Sequence, residues 1–345
     1  SSMQFSVSPA KVQTVMRHVR GIGLGAAVSL FAFVAHAQTA TLALPANALL
    51  FAPIYVAADA GLWKQRGLDV KLPVIAGPGA TNAVIAGSAD FTSTAATSVL
   101  RASARGQTMQ IIATTNEEYL LNLVVSAKAM AERKIDPKSD LATRMKALKG
   151  ATLAIDVPLG LPHGFIKYVA AKVGMDADRD FVLTPMQPPN MVSSLQSGAI
   201  DGFMFGEPFV SLAVLGGAKI VIQLARTDLP ELNPYSTNVI ATRAGFCKQS
   251  PDVCSKLVAG LTDALKMIQD DPERVKGLMR ARFAQLPPQV LDASFDQIRT
   301  TSPRSAVTHE AALANTQRVS LVAGTLKPEE RREDLAALID NEFAK

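Results

Sequence analysis

The sequence predicts an α/β fold made of two doubly wound lobes that are joined by a two-strand hinge. Predicted strands and helices alternate about every 10–15 residues, which is typical of βαβ units and a parallel sheet. Residues 84–91 and 194–203 also repeat one pattern, in which the end of a helix is followed by a glycine and by an aspartate that leads into an apolar strand. The two aspartates, Asp90 and Asp201, are 111 positions apart, and so are the two glycines. The two parts of the chain therefore share one plan.

Apolar patterning and turn residues place the elements of the first lobe. Strands are predicted at residues 39–44, 68–73, 91–92 and 109–115. Helices that stop at or near a glycine are predicted at residues 52–60, 81–86 and 99–104. An apolar run at residues 120–126 is then interpreted as a strand that crosses towards the second lobe.

The same plan restarts after a charged stretch at residues 128–149. Strands of the second lobe are predicted at residues 151–155, 181–184, 200–205 and 219–224, with helices at residues 163–173, 190–196 and 207–215. A strand at residues 237–242 returns to the first lobe, and the remaining chain is mostly helical. We therefore predict that residues 38–125 and 236–345 form the first lobe and residues 126–235 the second, and that the two crossings act as a hinge.

The first 37 residues have the layout of a secretory signal peptide. Lys11, Arg17 and Arg20 form a basic region, an apolar run follows at residues 22–34, and a small-x-small cleavage site ends at Ala37. The apolar run is too short to span a bilayer. The sequence therefore predicts cleavage after Ala37 and export, and residue 38 is glutamine rather than the cysteine that a lipid anchor would need.

Removal of this segment changes the charge balance. The full sequence contains 35 Lys and Arg, and cleavage removes three of them. The remaining 32 stand against 30 Asp and Glu. A nearly balanced charge gives no reason to expect a nucleic-acid partner. Cys247 and Cys254 lie seven positions apart, so a local disulfide is plausible in an oxidising compartment, with two free thiols as the alternative. Only His163 and His309 remain after cleavage, so no metal site is expected.

Candidate ligand contacts follow from the predicted topology, because ligands of open parallel sheets bind at the carboxyl ends of strands and at helix N-termini. Each candidate could instead be a helix cap or a turn residue. The candidates are Asn47, Phe51, Gly79, Ala80, Thr81, Ser93, Thr94, Asn122, Gly160, His163, Glu207 and Tyr235.

Glu207 stands out because it interrupts an apolar run, where a carboxylate is costly unless it has a partner. Asp90 and Asp201 precede their strands, at the end away from the predicted cleft, so we expect them to cap turns. Catalytic signatures such as G-x-S-x-G and H-E-x-x-H do not occur in the sequence. We therefore expect no catalytic residues and no cofactor.

Several segments, taken in their order along the chain, resemble the periplasmic solute-binding proteins of the nitrate, sulfonate and taurine type. That superfamily also holds binders of thiamine pyrimidine precursors. The first is APIYVAADAGLWKQRGLDV at residues 52–70. The others are AGSADF at 86–91, LKGAT at 148–152, and GAIDGF at 198–203 running into GEP at 206–208.

The resemblance implies a type II periplasmic binding protein fold, a monomer, and an ABC permease of the inner membrane as partner. It implies capture of a small polar or anionic organic molecule by hinge closure. Binding of a pyrimidine precursor is the alternative that Phe51, Tyr55 and Glu207 allow. An enzyme of pyrimidine precursor synthesis on the same fold is a further, weaker alternative, and a sensory role is also open.

Overall fold

The computed structural model describes residues 37–345, except for the side chains of residues 225 and 226. The predicted signal peptide falls on residues outside this range, so its cleavage stays a prediction. No helix within the described range is long and apolar enough to cross a bilayer.

Strands and helices mostly alternate from the start of the described chain to residue 215, and β4 is followed directly by β5. The strands are β1 (Gln38–Ala43), β2 (Leu68–Lys71), β3 (Phe91–Ala95), β4 (Met109–Asn116), β5 (Asn122–Val125), β6 (Thr152–Ile155), β7 (Val182–Pro185), β8 (Gly202–Phe205), β9 (Lys219–Gln223) and β10 (Asn238–Arg243). The helices are α1 (Ala52–Asp59), α2 (Pro78–Ala86), α3 (Ala96–Ala104), α4 (Ala127–Glu132), α5 (Leu141–Ala147), α6 (Leu161–Lys172), α7 (Ala177–Asp180), α8 (Pro188–Ser197), α9 (Phe209–Leu215), α10 (Phe246–Gln249), α11 (Pro251–Asp270), α12 (Pro272–Arg282), α13 (Pro288–Thr301) and α14 (Glu310–Ala323).

The strands form two five-stranded mixed sheets, in the orders β2-β1-β3-β10-β4 and β7-β6-β8-β5-β9. Each sheet holds one antiparallel strand next to its last strand: β10 lies between β3 and β4, and β5 lies between β8 and β9. Helices cover the sheets, which gives two α/β lobes. The predicted fold class is confirmed.

The position of β5 differs from the predicted division of the chain. Residues 122–125 were expected in the first lobe, whereas β5 pairs with β8 and β9 of the second sheet. The change of sheet therefore falls between Asn116 and Asn122. A short run of Asn-Leu-Val-Val suits any central strand, and only the pairing partner decides which sheet receives it.

The C-terminal helix α14 contacts both lobes, although the sequence predicted it to belong to the first. Leu313 packs in the core of the first lobe with Val99 of α3. Val319, six residues further along, packs in the core of the second lobe with Phe165 of α6. A single helix thus joins the two cores.

The repeated aspartates hold equivalent positions in the two sheets. Asp90 Oδ2 accepts a hydrogen bond of 2.9 Å from the Thr41 N–H, and Asp201 Oδ2 accepts one of 2.9 Å from the Thr152 N–H. Thr41 and Thr152 are themselves 111 positions apart. Each aspartate therefore ties the start of one strand to its parallel neighbour, which agrees with the structural role predicted for both.

Within the first lobe, Trp63 packs closely against helix α11. The indole Nε1 of Trp63 donates to the Leu257 carbonyl at 2.9 Å, and the ring lies against Gly260. A Cβ atom on Gly260 would come within 2.3 Å of Trp63 Cδ1. Nearby, a disulfide joins Cys247 to Cys254 and fixes the turn between α10 and α11.

We predict that Gly260→Ala lowers the free energy of unfolding by about 1–3 kcal/mol, because the new methyl group forces Trp63 or the helix to move. Trp63 is the single tryptophan of the chain, so its fluorescence during urea denaturation measures the change. Gly277→Ala is the matched control. Gly277 is exposed in α12 with nothing within 4 Å of its Cβ position, so this change should add up to about 1 kcal/mol. If Gly260→Ala stabilised the protein as much as Gly277→Ala, the close approach of Trp63 to Gly260 would be contradicted.

Candidate ligand-binding site

The two sheets are linked at the edges where their parallel strands finish. β4 ends at Asn116, and β5 begins at Asn122, which pairs with Phe205 at the end of β8. The five residues 117–121 span no more than roughly 20 Å, at about 3.5 Å per residue. The carboxyl edges of the two sheets are therefore close together, and this is where α/β proteins bind ligands.

A second crossing runs beside the first one. The Tyr235 N–H donates to the Glu117 carbonyl at 2.8 Å, and the Thr237 N–H donates to the Asn116 carbonyl at 3.0 Å. The Thr237 hydroxyl also donates to the Glu118 carbonyl at 2.7 Å. The two crossings are thus hydrogen-bonded to each other, which fixes one side of the space between the sheets.

Polar side chains without partners gather at the edge of the first sheet. Within residues 37–345, no hydrogen-bond partner is found for Ser93 Oγ, Asn116 Nδ2 or Asn238 Nδ2. These residues are 0%, 0% and 4% exposed. They lie on the neighbouring strands β3, β4 and β10, where Asn238 pairs with both Asn116 and Ala95. Buried polar atoms normally find a partner, so this group indicates a place for a polar ligand.

Sequence reasoning found Ser93 and missed the two asparagines. The strand-end rule, applied to β4, would have found Asn116. Asn238 gives no such signal, because β10 is antiparallel and brings its first residue, rather than its last, to this edge. Thr94 and Thr81, which were both predicted, lie with hydroxyl oxygens 3.4 Å apart and join the end of β3 to the start of α2, where Gly79 and Ala80 also lie.

At the edge of the second sheet, a loop from Asp156 to Gly160 connects β6 to α6. Leu159 in this loop has a φ of 60°, and its N–H donates to His163 Nδ1 at 2.8 Å. His163 Nδ1 is therefore an acceptor, so Nε2 carries the proton and donates to Asp178 Oδ1 at 2.8 Å. This bond, with Lys167 nearby, lowers the pKa of Asp178 below its ordinary value. Both ring nitrogens of His163 are thus engaged within the second lobe, where they shape the loop.

Asp156, which the sequence did not single out, directly follows β6. Among the described residues, its Oδ1 has no hydrogen-bond partner, and burial raises its pKa. A Cβ atom on Gly160 would lie 2.8 Å from Val157 Cγ2 and 3.1 Å from this oxygen, so a side chain at position 160 would crowd it. The structure therefore places a half-buried carboxylate, with one buried oxygen, in the loop before α6.

Glu207 follows β8 at the same edge. Its Oε2 accepts hydrogen bonds from the Ser211 N–H at 3.0 Å and from the Ser294 hydroxyl at 3.2 Å. Burial raises the pKa of Glu207, and the bonds from Ser211 and Ser294 oppose this effect. Since Ser294 belongs to α13, this carboxylate also connects the second sheet to the C-terminal helices.

The remaining predicted residues lie near these edges but serve packing in the structure. Asn47 Oδ1 accepts a 2.8 Å hydrogen bond from the Tyr55 hydroxyl, and Phe51 is buried in the same core. Tyr235 packs edge-on against Tyr119, with ring centroids 5.1 Å apart, and its buried hydroxyl has no hydrogen-bond partner among the described residues. Asn122 is buried at the start of β5. A separate cavity of about 300 Å³, lined partly by Ser126, Gly198 and Asp201, lies at the opposite edge of the second sheet.

The comparisons with known proteins agree with this architecture. The model of the NMT1-like family matches residues 38–281. The chain belongs to the NMT1-like family. The match ends within α12, so the family region contains both sheets and both edges described above.

Relatives of this NMT1-like chain carry names from nitrate import. The nitrate import ATP-binding protein NrtC of Synechocystis is 30% identical over 155 residues, which are 44% of this chain and 23% of that protein. The nitrate/nitrite binding protein NrtA of Nostoc is 27% identical over 158 residues, which are 45% of this chain and 33% of that protein. The chain thus matches only a minor part of either relative's length.

A solved structure supports the fold of this NMT1-like chain. The periplasmic aliphatic sulphonate binding protein SsuA from Escherichia coli superposes with a TM-score of 0.64 at 18% identity, covering 82% of this chain and 85% of that one. At this identity the likeness shows a shared periplasmic binding protein fold.

We predict that Glu207→Gln stabilises the protein at neutral pH and loses this advantage in acid. The pKa of Glu207 is raised in the folded state, so its contribution to stability is complete below its ordinary value of 4.5 and is lost as the pH rises through the folded pKa. Glutamine keeps an acceptor oxygen without the buried charge. Urea denaturation at pH 4 and pH 7.5 measures the difference, and Glu329→Gln, at an exposed site, is the control. The same effect of Glu207→Gln at both pH values would contradict the prediction.

Proposed function

We propose that this chain is the periplasmic ligand-binding component of an ABC importer, and that it holds a small polar molecule between its two lobes. The observation that carries the proposal is the group of buried polar atoms without partners in the described chain at Ser93, Asn116 and Asn238, on neighbouring strands of the first sheet. A ligand that bridged the two edges would satisfy these atoms. The NrtA relative, itself named as a binding protein, supports the same reading.

Hinge closure would follow from the two crossings. They are the places where the chain passes between the sheets, so a small change in their backbone angles moves one lobe against the other. Helix α14 lies along the second crossing: the Thr316 hydroxyl donates to the Ser236 carbonyl at 2.8 Å, and Asn315 Nδ2 donates to the Pro234 carbonyl at 2.7 Å. We infer that the lobes rotate about this helix. A permease in the inner membrane would recognise the closed form of the monomer.

A binding role is favoured over an enzyme on the same fold. His163, the obvious general base, has both ring nitrogens engaged with Leu159 and Asp178. Glu207 is engaged with Ser211 and Ser294. The groups left for a ligand are hydroxyl and amide donors with one carboxylate, which suit recognition of a molecule without converting it.

The function is tested on the mature chain from Gln38 onward. Small molecules released by denaturing the purified protein are identified by mass spectrometry, and thermal melts are screened with nitrate, sulfonates, bicarbonate, aromatic acids and pyrimidines. A true ligand at 100 times its dissociation constant adds about 2.7 kcal/mol to the stability and lowers the radius of gyration in X-ray scattering. The binding role is wrong if no molecule is released and none stabilises the protein. It is also wrong if the bound molecule is converted into another compound.

We predict that Ser93→Ala weakens the affinity for the ligand recovered from the protein by about tenfold, which corresponds to the loss of one neutral hydrogen bond. Because the Ser93 hydroxyl has no partner among the described residues, its loss should not lower the melting temperature of the ligand-free protein. Ser193→Ala removes an exposed hydroxyl of α8 and should alter neither quantity. Calorimetric titration gives the affinities. Unchanged affinity in Ser93→Ala would remove Ser93 from the site.

A further inference from the structure

Acidic residues predominate among the charged residues at the facing edges, although residues 224–233 after β9 also contain Arg226. The segments that follow the other parallel strands, together with the last part of the crossing before β10, contain no lysine, arginine or histidine. Their charged residues are Glu117, Glu118, Asp156 and Glu207. These segments are residues 44–51, 72–81, 93–97, 116–122, 156–162, 186–190, 206–209 and 234–238.

Two of these carboxylates, Glu117 and Glu207, already contact other side chains of the protein. Glu117 Oε1 lies 3.2 Å from His309 Nε2, and Glu207 accepts two hydrogen bonds. Asp156 differs, because its buried Oδ1 has no partner in the part of the chain that the structure describes. A hydrogen-bond donor on a ligand would satisfy this oxygen, whereas an anionic ligand would bring a like charge into a site of low dielectric.

The edge of the first sheet carries hydrogen-bond donors, so it requires an acceptor on the ligand. Asn116 Oδ1 already accepts a 3.0 Å hydrogen bond from the Thr115 hydroxyl, so its free Nδ2 group is a donor. Asn238 Nδ2 is a donor as well, and the Ser93 hydroxyl can donate. A ligand must therefore offer an acceptor to this edge. A purely cationic group has none, so it would leave these donors unsatisfied.

We propose that the ligand is an uncharged molecule of the amide or ureide class, with its carbonyl oxygen directed at Ser93, Asn116 and Asn238 and its N–H directed at Asp156. This proposal rests on the proposed function and narrows its ligand. It follows from one sheet edge that carries neutral donors and from the other edge, where one carboxylate oxygen of Asp156 has no partner in the described chain.

The test uses three probes of one shape and different charge: acetate, acetamide and acetamidinium. Each is titrated into the ligand-free mature protein, into the millimolar range that such small probes require, with thermal melts and calorimetry as readouts. Wild-type protein should bind acetamide on the order of tenfold more tightly than acetate, with acetamidinium weaker than acetamide. Tightest binding of acetate, tightest binding of acetamidinium, or no binding of any probe would each overturn the proposal.

Asp156→Asn tests the carboxylate itself. The amide removes the charge and keeps the size, so the preference for acetamide over acetate should fall several-fold, mainly because acetate binds better. Asp69→Asn, an exposed residue of β2 that pairs with Lys71, makes the same charge change away from the site and should keep the wild-type preference. An unchanged preference in Asp156→Asn would overturn the role of Asp156.

The failure of this inference is separable from failure of the proposed function. If the molecule released from the purified protein is an anion that is bound and not converted, the binding role stands and the ligand class proposed here is wrong. If no molecule is released and none stabilises the protein, both are wrong.

Discussion

The double crossing between the two sheets is the constraint on which the rest of the structure depends. β5 leaves the first lobe to enter the second sheet, and β10 returns to the first, so each sheet holds one strand delivered across the gap. The backbone bonds from Tyr235 to Glu117 and from Thr237 to Asn116 fasten the two crossings together. Because both strands enter next to the carboxyl ends of parallel neighbours, the two edges that can bind a ligand are held opposite each other.

This arrangement also explains where the polar residues lie. Away from the crossings, the core of the first lobe is apolar and closely packed, as in the contact of Trp63 with Gly260. Near the crossings, Ser93, Asn116, Asn238 and Asp156 each have a buried side-chain atom that has no partner within the described chain. Such atoms weaken the ligand-free protein and strengthen binding of a molecule that satisfies them. A binding protein that closes on its ligand gains specificity in this way.

The comparison of sequence and structure is most instructive at the site. The strand-end rule found Ser93, Thr94 and Glu207, because parallel strands bring their last residues to one edge. It failed for Asn238, since the direction of β10 is set by its pairing with β3 and β4, residues more than a hundred positions earlier. It also proposed His163 and Tyr235, whose type suits a ligand. The structure commits His163 to Leu159 and Asp178, and it packs Tyr235 against Tyr119 and Phe165.

The amino-acid sequence alone determined the two α/β lobes and the equivalence of Asp90 and Asp201, because periodicity, glycine stops and an internal repeat are local properties of a chain. Tertiary structure alone decided that β5 belongs to the second sheet, that α14 joins the two cores, and that Asn238 of the antiparallel strand β10 lies beside Asn116. The physical reason is the same for all three. Hydrogen-bond partners and burial depend on segments that meet only after folding, and no local pattern of residues records which segments those are.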